Sequence, residues 1–244
     1  MKKIVLFVLF CISVWGSVIK VAVAANMSYA MPEIVKAFYK KYPDIKVEIL
    51  IGSSGKLFAQ IKNSAPFDIF LSANMKYPNA LYKQKLCITA PKVYATGALA
   101  LLSSKRKDFS KGIMLLKDKN IKKIALANPK IAPYGKAAVE ALRKSFIYNK
   151  LKNKFVYAQS VAQATTYSII AADIGFVAKS TLFSRHMKKY KKDINWIEIK
   201  PFLYTPIKQG IVLLKDKKEA REFYNFMFGN TVKNILISFG YNIK

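Results

Sequence analysis

Cysteine and histidine are almost missing from these 244 residues: two cysteines, Cys11 and Cys87, and one histidine, His186. A zinc site of the usual kind needs three or four Cys, His or carboxylate ligands held together, so none is expected. A disulfide is excluded as well, because Cys11 lies in a removable leader and Cys87 is then left without a partner. Acidic residues are scarce, 13 against 42 Lys and Arg, which gives a formal charge of +29. That balance favours anionic partners of any size, from oxyanions to membranes. The basic residues are scattered from Lys36 to Lys244, however, and the one dense run, 185–192, is short and reads as a solvated face. Without aromatic-interleaved clusters or a nucleic-acid motif, nucleic acid is not expected as a partner.

Enzymatic signatures are missing too. There is no Gly-x-Ser-x-Gly elbow, and His186 sits in a basic polar stretch without a nominated nucleophile. Gly135-Lys136 lacks the Ser or Thr and the glycine spacing of a nucleotide phosphate loop. Asp68 falls inside an apolar strand and reads as structural. The chain is expected to be no enzyme and to need no cofactor, with a hydrolase as the alternative from another class.

Long apolar runs are confined to the N-terminus, where Lys2 and Lys3 precede 4–15 and small residues follow at Gly16 and Ser17. The run is too short to span a bilayer comfortably, so 1–17 reads as an export signal cut near Gly16 or Ser17. Cys11 raises a lipoprotein alternative, but Phe10 before it is bulkier than that processing usually accepts. A soluble, exported, periplasmic protein is expected.

What remains alternates strand with helix. Apolar runs at 18–24 and 67–73 read as buried strands and 47–51 as a strand between them, separated by helices over about 28–39 and 56–63. This βαβαβ order argues for a parallel sheet covered by helices. The pattern restarts with strands at 98–103, 121–127, 154–158 and 174–178, and helices at 136–145 and 161–172. A late strand at 207–214 and helices at 217–228 and 231–239 close the chain. The reading is an α/β fold of two lobes, 18–96 with 208–244 forming the first and 97–207 the second. The chain crosses between them near 94–97 and 204–209.

In open α/β sheets the ligand sits beyond the carboxyl ends of the strands. Four strand-to-helix turns are then expected at one cleft: 25–28, 52–55, 132–135 and 159–162. The most telling is Gly52-Ser-Ser-Gly55, where hydroxyls and unpaired N–H groups share a helix start. Taken alone, such a serine is simply a helix cap. With three partner turns, the side chains of Asn26 and Ser54 and backbone N–H groups near Ser54, Tyr134 and Val161 could surround a small anion. None of these turns carries Asp or Glu, and a donors-only site suits fully deprotonated dianions rather than hydrogen phosphate. Sulfate and molybdate remain open on the residues.

The sequence also resembles the molybdate-binding proteins of molybdate uptake systems, within the two-lobed periplasmic binding-protein class. The matching stretches run in order: 21–26 (Val-Ala-Val-Ala-Ala-Asn), 52–61 (opening Gly-Ser-Ser-Gly-Lys), 65–73, 128–138 (containing Ala-Pro-Tyr-Gly), 160–164 and 172–178. The resemblance implies a molybdate or tungstate dianion between the lobes, molybdenum being present only as that oxyanion. It implies Asn26 as a first-loop side-chain ligand, Ser54 through hydroxyl and N–H, and Tyr134 and Val161 through backbone N–H. Ala25 stands where some relatives have a hydroxyl residue, Ala178 where others have a ligating Tyr, and Ser28 is a reserve candidate that also reads as a cap. The implied partners are a membrane permease and its ATPase, with the receptor itself a monomer.

Overall fold

Eight residues that alternate poorly but bury well begin the first sheet. In the computed structural model, which describes residues 17–243, β1 (Ser17–Ala24) has five of its eight residues buried. The export signal and Cys11 lie outside the described residues, except that Ser17 already belongs to β1. There follow α1 (Ala30–Lys41), β2 (Ile45–Gly52), α2 (Ser54–Lys62), β3 (Ile69–Ser72), α3 (Lys76–Lys83) and β4 (Lys92–Gly97). After β5 (Leu99–Leu102) comes a 3-10 segment (Phe109–Lys117), then β6 (Ile124–Ala127), α4 (Pro133–Lys144) and the short α5 (Tyr148–Leu151). Next are β7 (Phe155–Ala158), α6 (Val161–Ile170), β8 (Ile174–Ala178), the short α7 (Lys179–Leu182) and β9 (Trp196–Glu198). β10 (Ile207–Leu213), α8 (Lys218–Phe226) and α9 (Asn230–Ser238) end the chain.

Two five-stranded sheets result, in the orders β2-β1-β3-β10-β4 and β7-β6-β8-β5-β9. In each, three strands pair in parallel, and one antiparallel strand, β10 or β5, joins them to the last. The mostly parallel lobes expected from the sequence are therefore present. The sequence reading took 94–97 for a plain crossing; those residues are the end of β4, an edge strand held by β10. Edge position explains the missed signal, since Lys92 and Val93 are exposed and no apolar run marks the strand. α4 starts three residues earlier than expected, because Pro133 is welcome at a first helical position where no N–H bond is needed.

The two C-terminal helices return to the first lobe, where Phe38 of α1 meets Phe223 edge-on at 5.0 Å and Phe226 at 5.3 Å. The fully buried Phe38 and Phe223 each contribute roughly 1.5–3 kcal/mol. Asp68 is buried as a structural group: its carboxylate accepts the Lys20 N–H at 2.7 Å and pairs with Lys217 at 2.9 Å, tying β3 to β1 and to the chain before α8. The two crossings run side by side, for Gly97 pairs with Ile207 and only Ala98 separates β4 from β5.

Candidate functional site

The four predicted turns meet between the lobes. A small cavity there is lined by Ala24, Ala25, Asn26, Ser53, Ser54, Ala73, Ala132, Pro133, Tyr134 and Val161. A water-sized sphere can place its centre over about 10 Å³ of it, so the space is on the scale of one small ion rather than a sugar or peptide. The lobes are closed on each other: the Gly55 N–H of α2 donates to the Ile131 carbonyl of the second lobe at 2.9 Å.

Helix starts supply the donors. The first turn of a helix leaves its N–H groups without intrahelical partners. In α2 the Gly55 and Leu57 amides are taken, by Ile131 and Ser53, and the Ser54 amide has no partner among the described residues. In α4 Pro133 has no N–H and Lys136 returns to Ala132, so the Tyr134 amide is unused among the described residues. In α6 Ser160 caps Gln163 and takes Ala164, which leaves Val161 and Ala162 among the described residues, and of these Val161 lines the cavity. Three helices of nine, twelve and ten residues thus bring unpaired N–H groups and positive dipole ends to one point from both lobes.

Ser54 is buried, and its Oγ accepts the Ala73 N–H at 2.9 Å, which leaves the hydroxyl proton for a ligand. Ser53, which the sequence reading did not name as a ligand, is 5% exposed and its Oγ has no partner among the described residues. It is the residue that reasoning missed, and adjacent serines in one turn were the available signal. Tyr134 lines the cavity at the start of α4; its ring is buried, and burial holds its phenol well above the ordinary range. Val161 packs its side chain and offers N–H only. Ala25 lines the cavity without a side-chain donor. Ser28 does not: its Oγ donates to the Ala25 carbonyl at 2.7 Å, closing the turn at 25–28, and it is not the helix cap expected, since α1 has no side-chain cap. Ala178 is fully buried at the start of α7 and likewise outside the lining.

Asn26 differs from the simple expectation of a side-chain donor. Its Nδ2 already donates to Gln209 Oε1 at 2.9 Å and Tyr241 Oη at 3.0 Å, while its Oδ1 is buried without a partner. Its carbonyl accepts from Tyr241 at 2.9 Å and from Ser180 of the second lobe at 3.1 Å.

The lining includes no Lys, Arg, His, Asp or Glu. The nearby lysines are turned to the surface, Lys136 toward Glu140 at 3.8 Å and Lys179 on Glu198 at 2.6 Å. Neutral donors aimed inward can hold an anion, because hydrogen bonds to an ionised acceptor are roughly twice as strong as neutral ones.

Two α/β lobes closed over a small cavity of helix N-termini define a two-lobed solute-binding protein. Residues 19–242 match the profile of a bacterial extracellular solute-binding protein family, and the chain belongs to that family. The molybdate-binding protein ModA of Azotobacter vinelandii is 33% identical over 231 residues, 93% of this chain and 90% of that protein. Its counterpart in Rhodobacter capsulatus is 34% identical over 227 residues, 90% and 86% of the two chains. The solved structure of the Azotobacter vinelandii periplasmic molybdate-binding protein superposes with a TM-score of 0.85 at 32% identity, covering 93% of this chain and 99% of that one. The family binds solutes, so the chain is not an enzyme and the hydrolase alternative falls.

Proposed function

We propose that the chain captures molybdate, and tungstate through the same donors, in the periplasm and delivers it to a membrane permease driven by an ATPase. The observation that carries this reading is the donor set: unpaired amides of Ser54, Tyr134 and Val161 with the free hydroxyl protons of Ser53 and Ser54, around a cavity without a charged side chain. A fully deprotonated tetrahedral dianion accepts from all of them and brings no proton that needs an acceptor. Because the donors come from both lobes, the anion stabilises the closed arrangement over the open one. Two named relatives that bind molybdate, each a third identical over nine-tenths of this chain, support the choice over sulfate.

Isothermal titration of the exported chain with molybdate, tungstate, sulfate and phosphate tests this. Tight binding of the first two alone is expected; sulfate binding as tight as molybdate would refute the assignment. Size-exclusion chromatography in the same buffer is expected to give a monomer.

A further inference from the structure

Behind the cavity lies a buried polar relay that the binding role does not absorb. Gln209, fully buried on β10, accepts through Oε1 from Asn26 Nδ2 at 2.9 Å and from the Tyr94 hydroxyl at 2.7 Å. Its Nε2 donates to the Tyr134 hydroxyl at 3.5 Å, the longest bond of the group. In this arrangement the Tyr94 proton is satisfied, and Asn26, which lines the cavity, keeps a buried Oδ1 without a partner. An orphaned acceptor of this kind is costly in water-excluded surroundings. It is also the wrong polarity for a dianion that carries no proton.

The ends of an amide are nearly isosteric, so the relay has a second arrangement. If Asn26 and Gln209 each turn their amide by half a rotation, the bond between them survives with its direction reversed. Gln209 Nε2 then donates to Asn26 Oδ1 and faces the Tyr94 oxygen, and Gln209 Oε1 accepts from the Tyr134 hydroxyl. Tyr241 can donate to Asn26 Oδ1, because Ser180 still holds the Asn26 carbonyl. Asn26 Nδ2 now takes the place of the orphaned oxygen. One unsatisfied group is exchanged for another: the Tyr94 proton loses its acceptor and Asn26 gains its full complement once an anion accepts from Nδ2.

We infer that Gln209 is a specificity-determining positioning residue: through the direction of its amide it sets whether Asn26 offers the bound oxyanion a donor or an acceptor. The inference rests on the oxyanion reading above and deepens it. Anions without a proton select the donor arrangement, and singly protonated oxyanions select the acceptor arrangement. The choice is coupled to the hinge, because Gln209 and Tyr94 sit on the paired strands β10 and β4 beside the crossings, and Tyr134 sits on the opposite lobe.

The test is a ratio of affinities in the full mature chain. At mildly alkaline pH, molybdate and hydrogen phosphate both carry two negative charges, and only the second has a proton, so net charge cancels. Gln209→Glu fixes an acceptor toward Asn26 Nδ2 and leaves Oδ1 on the ligand side. The molybdate-to-hydrogen-phosphate affinity ratio is expected to fall about tenfold or more, the scale of one hydrogen bond to a charged group. Gln209→Met, which neither donates nor accepts with strength, is expected to hold the ratio within about threefold of wild type. Tyr94→Phe removes the proton that favours the acceptor arrangement, and it is expected to raise the ratio; it serves also should Gln209→Glu fail to fold. A ratio unchanged in Gln209→Glu and Tyr94→Phe, or lowered equally in all three variants, overturns the inference. A wild type that binds sulfate in place of molybdate removes the molybdate reading alone, and the ratio is then taken with sulfate. A wild type that binds no oxyanion overturns both.

Discussion

Replacing Ser54 by alanine separates two jobs done by one oxygen. Ser54 Oγ accepts the Ala73 N–H at 2.9 Å, and its own proton is left for the anion. The first bond exists with or without ligand. Its loss strands an N–H in the interior, which costs about 1–3 kcal/mol of stability, and each kcal/mol lowers the melting temperature of a chain this size by about 2–4 °C. That cost is equal in free and bound protein and cancels from the affinity. The second bond exists only with the anion, and a hydrogen bond to a charged group contributes about 1.5–3 kcal/mol, a loss of about 10- to 150-fold in affinity. Ser53→Ala is the matched control: its Oγ has no protein partner, so the free protein should melt unchanged while affinity still falls. Calorimetric melting of the free variants and isothermal titration with molybdate read the two effects apart. If Ser54→Ala melts lower yet binds molybdate as wild type does, the hydroxyl is a strut and the site as drawn is wrong.

Three further outcomes follow from the geometry. The only titratable lining residue is Tyr134, whose phenol is held well above its ordinary value by burial, so molybdate affinity should be flat from about pH 6 to about pH 9; a titrating step there would mean a charged donor. In the same tyrosine cluster burial pushes Tyr241 up to about 12. Raised folded values keep the cluster's contribution intact below the unfolded tyrosine value of about 10, and stability should drop as pH rises from there through about 12, measured by equilibrium unfolding. Gly97→Ala would drive a methyl into the Tyr134 hydroxyl and place it 2.7 Å from Gln209 Nε2. It should hinder closure and weaken molybdate binding while each lobe keeps its secondary structure by circular dichroism; wild-type affinity would show that these groups move aside without consequence.

Interior strands were legible because burial on two faces writes them as continuous apolar runs, as in 69–72 and 174–178; β2, with Val47 alone buried, was legible from its apolar composition. The turns at Ser54, Tyr134 and Val161 were legible because a helix start after such a strand has few alternatives. What escaped was written across distance. β4 is a strand only because β10, more than a hundred residues later, pairs with it, and Lys92-Val-Tyr-Ala-Thr-Gly97 carries no local pattern that says so. Asn26 was found as a site residue, yet its partners Gln209 and Tyr241 lie 183 and 215 residues away, and nothing near Asn26 names them. The order of Ser53 and Ser54 was read from one turn, in which either hydroxyl could cap; the structure uses neither as a side-chain cap.

The strand order of the first sheet also dictates a schedule. β10 is an interior strand, hydrogen-bonded on one side to β3 and on the other to β4. Until residues 207–213 have emerged, β4 has no neighbour in that sheet and β3 has an open edge. The second sheet draws all its strands from 99–198, an uninterrupted stretch. During vectorial passage through a membrane from the N-terminus, the second lobe can therefore complete itself while the first, although it leads the way, waits for the tail. The binding cavity, which needs both, is the last thing to exist. A chain stalled before residue 207 would expose the open edge of β3, although α1, α2 and α3 already cover much of the apolar surface of β1–β3, and with one lobe incomplete it would have no cavity between the lobes.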